Sequence, residues 1–176
     1  MLSGETANGG FPADAVRMMS ATCVEAEAMQ DYDSSYRSMR QQVLASKSGR
    51  GTHMSTAESI ASSAVKTAWD LKAGIIVVVT RTGNTARLVA KYRPSVPIIV
   101  LTPSEAVARQ CQGYLKNCYS RVTPLSAGLD NVVASAVTAS ALRGWCKPGG
   151  AVVCVHGELE GSEAPGSTNS IRIITA

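Results

Sequence analysis

The run Ile75-Ile76-Val77-Val78-Val79 constrains this chain more than any other segment. Five consecutive apolar residues leave no polar face, so a strand built from Ile75–Thr80 must be covered on both sides, as in the middle of a parallel sheet. A second stretch of this kind, Pro97–Leu101, follows. Between them Thr85–Tyr92 has helical spacing and is stopped by Pro94. Strand, helix and strand in that order form a crossover unit, which sets the fold class as α/β.

The neighbouring segments extend the pattern. Ser55-Thr56-Ala57-Glu58 reads as a capping box that opens a helix with Ile60, Ala61, Ala64, Val65 and Ala68 on one face, ending near Ala73-Gly74. Thr102-Pro103-Ser104-Glu105 reads as a second capping box with proline at the first helical position, followed by a helix over Ser104–Gln112. Tyr119–Leu125 is a third strand of mixed polarity. Leu129–Arg143 carries Val132, Val133, Ala136, Val137 and Ala141 at helical spacing. Ala151–Val155 and Ile171–Thr175 are the fourth and fifth strands, separated by the polar loop His156–Ser170. No helix lies between these last two, so the final strand runs antiparallel at an edge. The expected architecture is a three-layer α/β/α sandwich around a five-stranded, mostly parallel sheet.

The amino-terminal part reads differently. Phe11–Gln30 has a helical stripe of Ala15, Met18, Met19, Thr22, Cys23 and Ala26, with Pro12 suited to its first turn. Asp31–Gly51 is polar and ends in Ser48-Gly49-Arg50-Gly51, the clearest boundary in the chain. Three parts follow from this: residues 1–30, a segment 31–53 that is a linker and the first stretch of the following domain, and the α/β domain 54–176.

Composition narrows the function classes. The 176 residues are 45% hydrophobic and 17% charged, which excludes intrinsic disorder and fits one domain or one domain plus a fragment. Aromatics are only 5%, so the core is built from Val, Ile, Leu and Ala. No apolar run approaches the roughly 20 residues of a membrane span, and Met1–Gly10 has neither the basic nor the apolar region of a signal peptide. The net charge of +4 is scattered, without the concentrated basic face of a nucleic-acid binder. Cys23, Cys111, Cys118, Cys146 and Cys154 are odd in number and lack C-x-x-C spacing, and only His53 and His156 are available beside them, which points to reduced thiols and away from a zinc site. No acid/base pair, nucleophile motif or metal cluster emerges.

Two segments remain as binding candidates. Thr80-Arg81-Thr82-Gly83-Asn84-Thr85 joins the first strand to its helix, where open α/β sheets bind ligands and where free amides and the helix dipole favour anions. Three hydroxyls, one glycine and one arginine suit a phosphate, although the pattern is neither G-x-x-x-x-G-K-[S/T] nor G-x-G-x-x-G. An ordinary strand-to-helix turn with capping threonines fits the same residues. The loop His156–Ser170 ends in Gly166-Ser167-Thr168-Asn169-Ser170, which offers hydroxyls and flexible backbone. Glu158, Glu160 and Glu163 within it repel an anion, and a plain hairpin loop is the alternative.

Taken together, several ordered motifs resemble the pyruvate kinase family, from the end of its catalytic barrel through its C-terminal domain. They are Met1-Leu2-Ser3-Gly4-Glu5-Thr6-Ala7, Phe11–Val16 with Glu25-Ala26-Glu27, Thr85–Pro94, Gly144-Trp145-Cys146-Lys147-Pro148-Gly149 and Gly166–Arg172. Residues Ser55–Val65 and Arg143–Val153 are most similar to the cytosolic plant-type branch. The resemblance implies a complete cytoplasmic, tetrameric enzyme of glycolysis that moves phosphoryl from phosphoenolpyruvate to ADP with Mg²⁺ and K⁺. It also implies that the catalytic and metal-binding residues precede this chain, that only Ser3, Gly4, Glu5 and Thr6 approach the active-site rim, with Ser3 and Glu5 the candidate residues there, and that the chain alone is inactive and holds no cofactor. Met1–Ala7 would be the last barrel strand and its turn, and Phe11–Gln30 the last barrel helix, a remnant expected of a truncated polypeptide. The effector site it implies comprises Thr80, Arg81, Thr82, Gly83, Asn84 and Thr85 with Gly157, Gly166, Ser167 and Thr168. A hexose monophosphate is the expected effector, since no Trp and Arg pair for the second phosphate of a bisphosphate can be placed. The alternative is a domain kept for assembly, through its alanine-rich helices and the edge strand Ile171–Thr175.

Overall fold

The computed structural model describes residues 2–47, 53–157 and 168–176. The chain divides into two units, Met1–Asp31 and Tyr32–Ala176. The first holds a single helical turn, α1 (Gly4–Ala7), and a long helix, α2 (Pro12–Ala28), which has Pro12 in its first turn and no buried residue. Gly4–Ala7 is a helical turn, within the segment Met1–Ala7 for which the family resemblance implied a strand and the turn after it. A lone strand needs a neighbour for its amides, whereas the turn satisfies its own, with Ala7 N donating to Ser3 O at 2.9 Å and Asn8 N to Gly4 O at 3.0 Å.

The second unit begins with α3 (Tyr32–Lys47), a helix in the segment that the sequence marked as a linker and first stretch of the domain without assigning it an element. Its buried stripe is short, Tyr36 and Val43 with the half-buried Met39 between them. After it come α4 (Thr56–Asp70), β1 (Ile75–Val79), α5 (Asn84–Lys91), β2 (Ile98–Thr102), α6 (Glu105–Tyr114), β3 (Cys118–Val122), a 3₁₀ turn (Leu125–Ala127), α7 (Leu129–Ala141), β4 (Ala151–Gly157) and β5 (Thr168–Thr175). Ser55 caps α4 as its spacing predicts, accepting from Glu58 N at 3.3 Å. The cap of α6 is Ser104, which accepts from Val107 N at 3.4 Å, so Pro103 lies outside the helix. Thr102 instead ends β2 and accepts from Ser104 N at 3.3 Å. The capping box read from Thr102 was thus two residues early.

The sheet order is β3-β2-β1-β4-β5, with the first four strands parallel and β5 antiparallel to β4. Every residue of β1 is buried, and its side chains alternate between two cores. Ile76 and Val78, with Ile98 and Val100 of β2, pack against Ala61, Ala64, Val65 and Ala68 of α4 and Ala86 and Val89 of α5. Ile75, Val77, Ile99 and Leu101 pack on the other side against Val132, Val133, Ala136 and Val137 of α7. Each fully buried aliphatic side chain contributes about 1.5–3 kcal/mol relative to exposure, so this strand and its two covers carry much of the stability. All five cysteines are free, and burial pushes the Cys118 and Cys154 thiols up to about 12.

A polar chain crosses the first core. Glu58 of α4, 5% exposed, accepts from the Tyr92 hydroxyl at 2.6 Å and is ion-paired with Lys91. Burial, then the hydrogen bond and charge of Glu58, push the Tyr92 hydroxyl above its ordinary range. The Tyr36 hydroxyl lies 2.9 Å from Ser62 Oγ, and the Tyr36 and Tyr92 rings are 5.7 Å apart. These contacts tie α3, α4 and the end of α5 together. Tyr92→Phe removes a hydrogen bond to a buried carboxylate and is expected to lower the unfolding free energy by about 1.5–3 kcal/mol. Urea denaturation checks this, and an unchanged midpoint would contradict the role given to the contact.

Candidate functional site

The direction of the sheet reverses at β1. From β1 the chain steps to β2 and β3 on one side, then returns to place β4 on the other. The helix after β1 and the helix before β4 consequently lie on opposite faces, and a crevice opens at the carboxyl ends of β1 and β4. Such switch points are where open α/β sheets bind ligands. Thr80–Thr85 forms one wall of it.

Glycine is required at the head of this turn. Gly83 has φ 81°, a left-handed conformation that other residues rarely adopt, and a Cβ there would lie 3.1 Å from Cys111 Sγ and 3.2 Å from Val107 Cγ1. Its amide donates to Thr80 Oγ1 at 3.0 Å, and Asn84 N donates to Thr82 Oγ1 at 3.4 Å. The first helical bond of α5 runs from Arg87 N to Gly83 O at 3.0 Å, which leaves the Thr85 and Ala86 amides without an acceptor in the helix. No acidic residue occupies that first turn, so the positive end of the helix dipole is not offset from within.

The opposite wall comes from far along the chain. Thr85 Oγ1 and Thr168 Oγ1 are 2.5 Å apart, both buried, and Thr168 pairs with Gly157 across an irregularity in the β4–β5 ladder. The structure therefore brings together Thr80, Thr82, Gly83, Asn84 and Thr85 with Gly157 and Thr168. Arg81 and Thr82 are exposed at the crevice, while Thr80 and Thr85 are turned inward. Gly166 and Ser167 lie outside the described residues, as do Glu158, Glu160 and Glu163. Arg87 was not among the residues that the sequence singled out. It donates to Asn84 Oδ1 at 2.8 Å and adds a second guanidinium beside the turn, a placement signalled only by its i+3 spacing from Asn84.

Ser3 and Glu5 belong to the other unit. The amides of Glu5 and Ser3 hold the Glu5 carboxyl below its usual value. Among the described residues, no three His, Cys, Asp or Glu side chains converge on a metal-sized site. His156 Nδ1 lies 2.9 Å from Gly157 O. Hydroxyls, helix-terminal amides and arginines are groups that can hold an anion.

Residues 58–174 match the family model for the pyruvate kinase alpha/beta domain. The chain belongs to the pyruvate kinase family. It is 40% identical over 178 residues to the pyruvate kinase of Dictyostelium discoideum, covering 99% of this chain and 33% of that protein. It is 38% identical over 174 residues to a cytosolic isozyme of pyruvate kinase from Solanum tuberosum, covering 89% of this chain and 33% of the relative. A crystal structure of pyruvate kinase from Cryptosporidium parvum superposes with a TM-score of 0.83 at 35% identity, over 99% of this chain and 32% of that one. The chain thus spans about a third of the length of the pyruvate kinases it matches. The sheet and its covering helices are the α/β domain of that family.

The Thr85–Thr168 contact has a distinctive mutational signature. Thr85→Val leaves the Thr168 hydroxyl buried without its partner and is expected to cost about 1–3 kcal/mol, whereas Thr85→Val with Thr168→Val removes both groups and is expected to cost less than the single change. Denaturation of the four proteins of this cycle checks the order. A double variant worse than either single variant would contradict the contact.

Proposed function

We propose that this chain is the effector-binding domain of a pyruvate kinase, and that the turn Thr80–Thr85 takes the phosphate of a hexose monophosphate. The observation that carries the reading is the pair of amides at Thr85 and Ala86 that have no acceptor within the helix, set beside hydroxyls and the Arg81 and Arg87 side chains at the switch point of the sheet. The Thr82 hydroxyl and those two amides would donate to phosphate oxygens, with Arg81 supplying charge. Gly157 and the segment reaching Thr168, with Gly166 and Ser167, would close over the sugar. The Thr85–Thr168 bond couples the two walls, so an occupied turn would stabilise the β4–β5 end of the sheet.

The complete protein would transfer phosphoryl from phosphoenolpyruvate to ADP in the cytoplasm, with Mg²⁺ and K⁺ held by residues outside this chain. Catalysis would likewise lie outside it, with Ser3 and Glu5 at most bordering the active site. The likeness to a cytosolic isozyme supports the compartment, and no described helix is long and apolar enough to cross a membrane.

A second reading, assembly, rests on β5. This strand is the edge of the sheet, and Ile173 on it is 55% exposed. An open apolar edge suits pairing with another copy, and a tetramer of the complete enzyme would use it. Sizing the chain with and without sugar phosphates separates the two: self-association indifferent to ligand favours assembly alone.

Thermal melts against hexose monophosphates, fructose bisphosphate and inorganic phosphate test the effector reading. Free ligand at about 100 times its dissociation constant stabilises by roughly 2.7 kcal/mol. The expected result is an upward shift with a monophosphate that is lost in Thr82→Ala with Thr85→Ala. No shift with any compound would contradict effector binding, and a response to fructose bisphosphate alone would contradict the preference for a monophosphate.

A further inference from the structure

A second pocket lies along the β3 edge of the sheet. It has a volume of about 120 Å³ and sits against the edge strand β3, bordered by Ile99, Gln112, Tyr119, Ser120, Arg121 and Arg143 among others. Trp145, stacked beside it, marks its position in the fold. The pocket's residues run along β3 from Tyr119 to Arg121, which pairs with Leu101 of β2, so it lies at the side of the sheet and apart from the Thr80–Thr85 turn that follows β1.

Four observations give the pocket its chemistry. First, two guanidinium groups border it and no Asp or Glu does. Neither arginine is paired with a carboxylate among the described residues. Second, both are held by neutral partners. Arg121 donates one N–H to Ser135 O at 3.4 Å, leaving most of its five donors unused, and the Arg143 guanidinium lies 5.1 Å from the Trp145 ring, itself 4.4 Å from Tyr119. Third, Gln112 Oε1 accepts the outward amide of Ser120 at 3.3 Å, which commits its oxygen to the strand edge and leaves its Nε2 as a donor. Fourth, Ser120 Oγ is the one buried side-chain polar atom without a hydrogen-bond partner among the described residues. A group of that kind calls for an explanation, and an ion or water is the usual one. Because β3 is an edge strand, residues from both of its faces border the pocket.

Donors without acceptors and positive charge without counter-charge define an anion site. The volume equals the liquid share of about four water molecules, enough for one tetrahedral oxoanion with any attached group left in solvent. We propose that the β3-edge pocket binds a phosphate-sized oxoanion between Arg121 and Arg143, as a site separate from the Thr80–Thr85 turn. The planar forks of the two arginines suit bidentate contact with such an anion. This proposal does not depend on effector binding at the turn.

The two tryptophans make the test specific. In the full chain carrying Trp69→Phe, Trp145 emission reports the pocket, and calorimetry at constant ionic strength reads binding independently. The probes are inorganic phosphate and glycerol phosphate, with chloride as the control. We expect saturable binding with a change in Trp145 emission. It should weaken about tenfold or more on Arg121→Gln and again on Arg143→Gln, and be retained in Thr82→Ala with Thr85→Ala. Because Arg143 touches Trp145, the calorimetric constant decides for that variant. Both arginines are exposed, and circular dichroism confirms that the variants fold. Binding of inorganic phosphate alone assigns the pocket to the free anion, and binding of glycerol phosphate as well assigns it to a phosphate group on a metabolite. Absence of saturable binding, or binding lost in the threonine variant and kept in both arginine variants, would overturn the proposal.

Discussion

The burial of β1 on both faces and along both edges is the constraint from which the rest of the domain follows. A strand of Ile and Val alone has no side that tolerates water, so one set of helices must cover Ile76 and Val78 and another must cover Ile75 and Val77. Covering both faces with one chain requires the crossovers to reverse direction. That reversal produces the order β3-β2-β1-β4-β5 and opens a crevice where β1 and β4 end. The position of the candidate effector site is thus a consequence of how the core is closed.

Around that constraint the polar groups do the joining. Glu58 links α4 to the end of α5 through Lys91 and Tyr92, and the Thr85–Thr168 hydroxyl pair links the first strand-to-helix turn to the last strand, 83 residues later in the chain. The two contacts differ in character. The first is enclosed by the α3–α4–α5 layer and serves stability, whereas the second lies at the mouth of the crevice, where a ligand that orders the turn would also order the edge of the sheet.

Legibility followed the physics of each segment. Ile75–Val79 and Pro97–Leu101 announce themselves because no other structure hides such runs, and Ser55 is readable because its cap partner, Glu58, is local. α3 was not readable as a helix, since its buried stripe is only Tyr36 and Val43, with the half-buried Met39 between them, in an otherwise polar sequence. The cap of α6 was displaced because Thr102 and Ser104 are both hydroxyl residues before Glu105, and only their bonds distinguish them. β5 begins at Thr168, earlier than the apolar run at Ile171 suggested, because ladder pairing with β4 holds Thr168-Asn169-Ser170 in place of a hydrophobic signal. At the site, the turn and its glycine were legible. Which threonines face inward was not, because that depends on Thr168, Val107 and Cys111, all distant in sequence.

The most direct measurement is an amide-resolved NMR titration of the full chain with glucose 6-phosphate. If the turn holds the phosphate, the amide resonances of Thr85 and Ala86 move saturably and furthest, with smaller changes at Gly83, Gly157 and Thr168. Saturable binding that leaves Thr85 and Ala86 unmoved, or no binding, would contradict effector recognition by this turn.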